Sequence, residues 1–196
     1  MYVRWYHFPV SSRAGYVLVG GNSSRMGRDK ALLPWHGTTM AQAVAEAVRT
    51  AAGSVALVGN PRRHGHLGYS VVPDMYAGEG PLGGILTAIE NSAADWNLIV
   101  ACDMPALSAG FLGQLLAAAD RCEGDALVPV GPSGRLEPLC GVYHRRSRQG
   151  LYAAFLGGAR KVAVALEGIR CVVWPVPEVS YFQNVNTPED WAAYDR

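Results

Sequence analysis

The chain has 196 residues, of which 49% are hydrophobic, and its 17 Lys and Arg against 16 Asp and Glu give a formal net charge of +1. This length and composition fit one domain with a sizeable core and exclude general disorder. The near-neutral charge excludes a basic field for nonspecific binding to nucleic acid or to a membrane, so an anionic ligand has to be held locally by a site.

The first residues, MYVRWYHFPVSSR, are rich in aromatic side chains and precede the first predicted strand. They lack the apolar core and the small-residue cleavage site of a secretory signal, and no stretch of the chain has the length of a membrane span. We interpret residues 1–14 as an N-terminal extension and residues 15–196 as a single domain. An extra edge strand, a packed arm and an incorrectly assigned start remain alternatives for the extension.

Apolar runs that predict strands then alternate with patterns that predict helices. Strands are predicted over residues 16–19, 55–58, 98–101, 126–130, 139–143 and 171–173. Most of these runs are continuous, as in strands that are covered on both faces. Helices are predicted over 39–51, where Thr39 and Gln42 form a capping box, over 81–91, after an N-cap at Ser108, and after Thr187-Pro188.

This alternation predicts an α/β fold, a single Rossmann-like three-layer domain with a mostly parallel sheet. Ligands of such folds bind beyond the carboxyl ends of the strands. Residues 131–168 are less regular and rich in Gly and Arg, and we interpret them as an insertion or a lobe on one side of the domain.

The cysteines and histidines show no metal-binding pattern. The four cysteines form no C-x-x-C pair and match no zinc spacing, and the five histidines form no H-E-x-x-H cluster. We interpret Cys102 and Cys140 as small core residues, and His64 and His66 as solvated side chains. The pattern predicts a protein of the reducing cytoplasm.

A glycine-rich basic loop, GGNSSRMGRDK over residues 20–30, follows the first predicted strand. It matches neither the Walker A pattern nor the Rossmann G-x-G-x-x-G pattern. Gly20 and Gly21 let the backbone approach a ligand closely and direct N–H groups at phosphate oxygens, while Arg25 and Lys30 add positive charge. These features together favour a phosphate-binding loop over an exposed turn with solvated basic residues.

A second motif, LIVACDMP over residues 98–105, delivers Asp103 to the carboxyl end of a predicted strand. Because Mg²⁺ prefers one or two carboxylates together with phosphate oxygens and waters, Asp103 beside a phosphate loop is the candidate metal ligand. The alternative is that Asp103 only caps a turn.

Two further segments contribute candidate site residues. In VVPDMYAGEGPLGGI, residues 71–85, Asp74 precedes a glycine-rich stretch that would let a base or ribose approach the backbone. In FQNVNTPED, residues 182–190, an extended chain would put the amides of Asn184 and Asn186 on one face. Taken alone, each segment is also typical of an ordinary connection or turn.

In order and spacing, the motifs LVGGNSSRMGRDKALL, GEGPLGGI, CDMP and NVNTPED resemble those of the molybdenum cofactor guanylyltransferases, within the glycine-rich nucleotidyltransferase superfamily. The resemblance covers residue 15 to the end of the chain. Val19 departs from the pattern, since the family usually has Ala there, and the extra methyl groups would crowd the nucleotide slightly. The N-terminal extension also exceeds the usual start.

The resemblance implies transfer of GMP from GTP to the terminal phosphate of molybdopterin, or of molybdenum-molybdopterin, with Mg²⁺ as the cofactor. The family's nucleotide contacts fall on Leu18, Val19, Gly20, Lys30 and Asp74, its metal ligand on Asp103, and its pterin side on Asn184 and Asn186. Asn60 lies near a further nucleotide contact. Molybdenum-cofactor-synthesis proteins and acceptor apoenzymes are the candidate protein partners, and neither nucleic acid nor a membrane is expected.

The residues fit this chemistry, because a phosphate monoester nucleophile is already ionised near neutral pH and requires no general base. We therefore assign catalysis to Lys30, Arg25 and Asp103, which would relieve the repulsion between two anions. One rival is a molybdopterin cytidylyltransferase, whose family usually shows LAAG and DQP. Another small-molecule nucleotidyltransferase and a non-catalytic nucleotide-binding regulatory module are the remaining alternatives.

Overall fold

A seven-stranded sheet forms the centre of the protein, whose computed structural model describes residues 12–20, 29–177, 180–182, 184–185 and 190. Its strands are β1 (Arg13–Leu18), β4 (Ala56–Gly59), β5 (Val71–Pro73), β6 (Trp96–Ala101), β7 (Ala126–Val130), β8 (Cys140–His144) and β9 (Cys171–Pro175). A separate short hairpin consists of β2 (Pro34–Trp35) and β3 (Thr38–Thr39). All six predicted strands are therefore present, with ends that differ by a few residues.

The order of strands across the sheet is β5-β4-β1-β6-β8-β7-β9. Strand β8 runs antiparallel to both of its neighbours, and the other pairs in the sheet are parallel. The prediction of a mostly parallel sheet is confirmed. The interpretation of residues 131–168 as an insertion or lobe is wrong, because this segment supplies β8, which fills the middle of the sheet between β6 and β7.

The helices are α1 (Met40–Ala52), α2 (Pro61–His64), α3 (Pro81–Glu90), α4 (Ala109–Ala119), α5 (Arg148–Leu156) and α6 (Val162–Leu166). Helices α1 and α4 pack together with Val17 and Val100 in one core cluster. Helices α3, α5 and α6 pack with Leu18 and Ile99 in the other. Because neighbouring side chains of a strand point to opposite faces, both faces of the sheet are covered and the domain has three layers.

Local sequence signals explain where two of the helices begin. The Thr39 hydroxyl accepts the N–H of Gln42, whose side chain reaches back to the N–H of Thr39, which forms the predicted capping box. The Ser108 hydroxyl accepts the N–H of Phe111 at the start of α4. The helix predicted after Thr187 lies outside the described residues.

The described residues include only part of the predicted N-terminal extension and of the C-terminal end of the domain. Strand β1 begins at Arg13, and the carbonyl of Ser12 accepts the N–H of Trp96. Residues 1–11 lie outside the described residues, and the boundaries 1–14 and 15–196 stay a prediction. None of the helices in the described ranges combines the length and the apolar composition that a membrane span requires.

Asp125 connects residues next to the ends of β7, β8 and β9, at the edge of the sheet opposite β5. Its carboxylate accepts hydrogen bonds from Nε of Arg146 at 2.8 Å and from Nη2 and the backbone N–H of Arg170, both at 3.1 Å. The Arg170 side chain, followed by that of Arg146, lowers the pKa of Asp125 from 3.8 to about 2. The ionised carboxylate therefore stabilises the fold above its unfolded pKa, and this contribution is lost as the pH falls through the folded pKa.

We predict that Asp125→Asn lowers the free energy of unfolding by about 1 kcal/mol at neutral pH, because exposed arginines give only modest ion pairs. In urea titrations the difference from the wild type should shrink between about pH 4 and pH 2, where the wild-type carboxylate itself becomes protonated. Glu167→Gln, which neutralises an exposed carboxylate after α6, is the matched control. A difference that does not change with pH would contradict a charge-based role.

Candidate active site

The site lies at the carboxyl ends of the neighbouring strands β1 and β6, whose following connections lead to opposite sides of the sheet. From β1 the chain passes through α1 to β4 on one side, whereas from β6 it passes through α4 to β7 on the other side. When the connections after two adjacent strands lead in opposite directions, a crevice forms at the carboxyl ends of these strands. The two strands stay paired to their ends, since the N–H of Cys102 donates to the carbonyl of Leu18 at 3.1 Å. The loops that follow them therefore start side by side.

A cavity of about 820 Å³ opens at this edge of the sheet. Seven of the residues predicted from the sequence line it, namely Leu18, Val19, Gly20, Lys30, Asn60, Asp74 and Asp103. Gly21, Arg25 and Asn186 lie outside the described residues. Asn184 is described but is not among the residues that line the cavity. The predicted site residues also did not include Asp29, Gly59, Arg63 and His64, which line the cavity as well.

Asp103 is a partly buried carboxylate, one oxygen of which is fully buried. Its Oδ1 is inaccessible to solvent and has no hydrogen-bond partner in the described structure. Burial raises the pKa of Asp103, and the positive charge of Lys30 partly opposes this. The described residues contain no group of three or more His, Cys, Asp or Glu side chains that could hold a metal ion. A hard cation held by one carboxylate, with other oxygens from the substrate, fits this donor set.

The segment that carries Asn184 lies against the Asp103 loop. The N–H of Val185 donates to the carbonyl of Asp103 at 2.9 Å, and the Val185 side chain is fully buried with Leu33 and Met40. The Oδ1 atom of Asn184 is buried and, like that of Asp103, has no partner in the described structure. The buried valine thus connects the backbone of the N-V-N motif to the carbonyl of the candidate metal ligand.

Asp74 is held by a buried threonine of α3. One carboxylate oxygen accepts hydrogen bonds from the Thr87 hydroxyl at 3.1 Å and from the Tyr76 N–H at 3.0 Å. Thr87 is fully buried, and its hydroxyl also accepts the N–H of Met75. The second oxygen of Asp74 faces Gly20, where a Cβ atom would lie 3.6 Å from it. The sequence gave no indication that Thr87 orients this carboxylate.

The glycines of GEGPLGGI serve two purposes. Gly78 and Gly80 line the cavity with positive φ angles of 87° and 83°, which other residues rarely adopt. Gly83 and Gly84 lie within buried α3, and Gly84 also lines the cavity. A Cβ atom at Gly83 would lie 2.7 Å from that of Tyr76, and one at Gly84 would lie 3.2 Å from the Leu18 side chain. Close packing of α3 therefore explains the second pair.

His64 is not solvated, and that interpretation is wrong. The residue is 2% exposed, and its Nε2 atom lies 3.0 Å from Oδ2 of Asp29. Asp29 comes immediately before Lys30, and His64 ends α2. The surrounding Gly and Arg residues suggested a solvated turn, and a contact between residues 35 positions apart leaves no local pattern. His66, in contrast, is exposed as expected.

Glu137 is a buried carboxylate that the sequence analysis did not identify. It is 8% exposed and forms an ion pair with Arg135 at 3.3 Å. Burial raises the pKa of Glu137, Arg135 opposes this, and the charge of Asp103 adds to the increase. Its one signal in the sequence is its position just before β8, and that signal is too weak to distinguish a site residue from a surface residue.

Val19 and Gly59 fit together under the cavity. Val19 is 4% exposed, and a Cβ atom at Gly59 would lie 2.7 Å from one of its methyl groups and 3.1 Å from Nδ1 of His64. The valine side chain packs in the core cluster of α1 and α4 while its residue lines the cavity. A methyl group of Val19 is therefore in contact with the end of β4.

We predict that Gly59→Ala lowers the free energy of unfolding by about 1–3 kcal/mol, because the added methyl group has no space. In a Val19→Ala background the cost should be smaller, which a double-mutant cycle of urea titrations measures. Gly65→Ala is the control, since a Cβ atom at that position meets nothing within 4 Å. Equal costs in both backgrounds would contradict the direct contact.

Comparisons with known proteins agree with this geometry. The model of the MobA-like NTP transferase domain matches residues 15–169. A molybdenum cofactor guanylyltransferase of Xanthomonas euvesicatoria pv. vesicatoria is 36% identical over 184 residues, which are 91% of this chain and 92% of the relative. The crystal structure of molybdopterin-guanine dinucleotide biosynthesis protein A from Archaeoglobus fulgidus has a TM-score of 0.80 and 27% identity, over 92% of this chain and 96% of the other.

The fold extends to more distant nucleotidyltransferases. The 2-C-methyl-D-erythritol 4-phosphate cytidylyltransferase of Thermus thermophilus has a TM-score of 0.69 at 19% identity, over 92% of this chain and 96% of the other. At this identity the likeness concerns the fold alone. The family match over residues 15–169, together with the closely similar relative, shows that this chain belongs to the MobA-like NTP transferase family.

Proposed function

We propose that the protein transfers GMP from GTP to the terminal phosphate of molybdopterin, releases pyrophosphate and forms molybdopterin guanine dinucleotide. The observation that carries this proposal is the cavity at the strand-order reversal, where Lys30 and Asp103 lie together. The name of the relative from Xanthomonas euvesicatoria supports guanylyl transfer to the molybdenum cofactor. Both substrates are anions, which suits a site that holds charge locally in a nearly neutral protein.

The reaction requires positioning more than proton transfer. The acceptor is a phosphate monoester, whose second pKa is about 6, so it attacks the α-phosphorus of GTP without a general base. The bond between the α-phosphorus and the bridging oxygen breaks, and pyrophosphate leaves with the electron pair. Lys30 stabilises the negative charge that develops on the departing phosphates, a role typical of fixed cations in phosphoryl transfer. Arg25 and Gly21, outside the described residues, are proposed to contribute to the same phosphate contacts.

The nucleotide is proposed to bind on the β4 side of β1. Leu18 ends β1 there, followed by Val19 and Gly20, and the second carboxylate oxygen of Asp74 faces Gly20 from just after β5. A carboxylate fixed by Thr87 is suited to accept hydrogen bonds from ribose hydroxyls or from the donor edge of guanine. Asn60 lies at the exposed rim of this side, although its own side-chain oxygen already accepts the N–H of Arg62 at 2.9 Å.

Asp103 and Asn184 are proposed to hold Mg²⁺ through their buried Oδ1 atoms. The fit rests on these two unpartnered oxygens and on the burial that disfavours the bare carboxylate of Asp103. When bound, Mg²⁺ would neutralise phosphate charge and bring the two anionic substrates together. Asp103 also orients the neighbouring segment, because its carbonyl accepts the N–H of Val185.

The acceptor is proposed to lie on the β6 side of the crevice. Asn184 precedes Val185, whose N–H donates to the Asp103 carbonyl there, and an amide both donates and accepts, which suits a pterin edge or the acceptor phosphate. Asn186, outside the described residues, is proposed to share this role. Molybdenum-molybdopterin as the acceptor, cofactor-synthesis proteins and acceptor apoenzymes as partners, and a cytoplasmic location stay predictions.

We predict that Asp103→Asn lowers kcat by about 10²–10³-fold, the range for loss of one positioned electrostatic group. The raised pKa means that the buried charge opposes folding, so the variant should be as stable as the wild type or more stable in thermal unfolding. Glu46→Gln, at an exposed position of α1, is the matched control. A folded Asp103→Asn variant with near-normal kcat would remove Asp103 from the mechanism.

We predict a preference for GTP over CTP of about 10⁴-fold in kcat/KM, since buried acceptors that pair with the N1–H and amino group of guanine would stay unpaired with cytosine. Pyrophosphate release with molybdopterin as the acceptor measures this preference, and reactions without molybdopterin are the control. Equal use of both nucleotides, or a preference for CTP, would favour the cytidylyltransferase alternative. No release with either nucleotide would favour the non-catalytic module.

A further inference from the structure

His64 and Asp29 form a polar contact that the proposed mechanism does not use. The side chain of His64 is almost completely buried, and that of Asp29 is 21% exposed. The two atoms, Nε2 of His64 and Oδ2 of Asp29, lie 3.0 Å apart. Because an ionised carboxylate only accepts hydrogen bonds, Nε2 carries the hydrogen and donates it. A hydrogen bond shielded from solvent in this way restricts both side chains.

The other oxygen of Asp29 fixes the turn that carries Lys30. Asp29 is the N-cap of a 3₁₀ turn over Lys30–Leu32, and its Oδ1 accepts the N–H of Ala31 at 3.1 Å. Ala31 is fully buried, and the N–H of Leu33 donates to the carbonyl of Lys30 at 3.1 Å. The 3₁₀ turn that carries Lys30 is therefore capped by Asp29 at its start and fixed by the buried Ala31 within it.

His64 itself is supported by the end of β4. Asn60 caps the short helix α2, and its carbonyl accepts the N–H of His64 at 3.0 Å. The imidazole ring lies against Gly59, where a Cβ atom would be 3.1 Å from Nδ1. The ring thus lies between the end of β4 and Asp29, which immediately precedes Lys30.

We propose that His64 is a positioning residue for Lys30, which it orients through the side chain of Asp29. The inference rests on the proposed function, in which Lys30 stabilises the departing phosphates. Lys30 interacts electrostatically with Asp103 across the cavity. Misplacement of such a group by about 1 Å costs up to about 10²-fold in rate. His64 would thereby fix the direction of the one described lysine that lines the cavity.

The first test compares substitutions that keep or remove the donor. His64→Leu has a similar volume but donates no hydrogen bond, and we expect kcat to fall about 10–100-fold. His64→Gln keeps an N–H near the position of Nε2 and should recover activity to within about threefold of the wild type. His66→Leu, the same change at an exposed position two residues away, should leave kcat unchanged. Loss of activity in His64→Gln equal to that in His64→Leu would contradict the donor role.

A double-mutant cycle with Lys30→Ala separates positioning from general damage. If His64 acts through Lys30, His64→Leu should have less than a twofold further effect on kcat in the Lys30→Ala background. Radiolabelled GTP makes the slow background reaction measurable. An effect of His64→Leu of the same size in both backgrounds would show that His64 does not act through Lys30, and would overturn the inference.

Amide hydrogen exchange provides a readout that is independent of turnover. His64→Leu should accelerate exchange in a peptide containing residues 30–33 by more than about tenfold, whereas His66→Leu should not. Unchanged exchange there would overturn the positioning role even if activity fell. Absence of GMP transfer by the wild type would refute the proposed function, and a normally active His64→Leu variant would refute only this inference.

Discussion

The pairing of β1 with β6 is the constraint on which the site depends. These strands lie next to each other in the sheet, although 77 residues lie between Leu18, where β1 ends, and Trp96, where β6 begins. Their backbone contact continues to Cys102. The fully buried residues of β6 keep this pairing from slipping, because a shift by one residue would turn its side chains to the opposite faces. Gly20 and Asp103 are consequently held at one edge, and every other site residue takes its place relative to them.

Buried residues of neighbouring elements then orient the polar groups at this edge. Thr87 fixes one oxygen of Asp74 from α3, and the buried Val185 connects the segment of Asn184 to the carbonyl of Asp103. His64 reaches Asp29 from the end of β4. In each case a residue with little or no solvent exposure forms a hydrogen bond with a loop residue at this edge of the sheet. This arrangement reduces the freedom of loops that would otherwise lose entropy when a ligand binds.

The sequence predicted the strands, the capped helices and the candidate residues because each of these has a local signal. Thr39 and Gln42 stand three residues apart, and Asp103 directly follows an apolar run. The misinterpretations of His64 and of residues 131–168 share one cause, which is that their roles depend on contacts distant in sequence. A buried histidine in a basic turn and an antiparallel strand between two parallel ones become visible only once β4 and β8 have their neighbours. The roles of Thr87 and Glu137 were missed for the same reason.

The carboxylates differ in a way that distinguishes structure from function. Asp125 accepts hydrogen bonds from Arg170 and Arg146, and its pKa is lowered to about 2. Asp29 likewise has a hydrogen-bond partner for each of its oxygens. At Asp103, in contrast, burial raises the pKa, and one oxygen has no partner in the described structure. A carboxylate whose burial opposes folding is poorly explained by stability alone. Asp103 lies just after the end of β6, opposite Lys30, and its proposed role with anionic substrates explains this position.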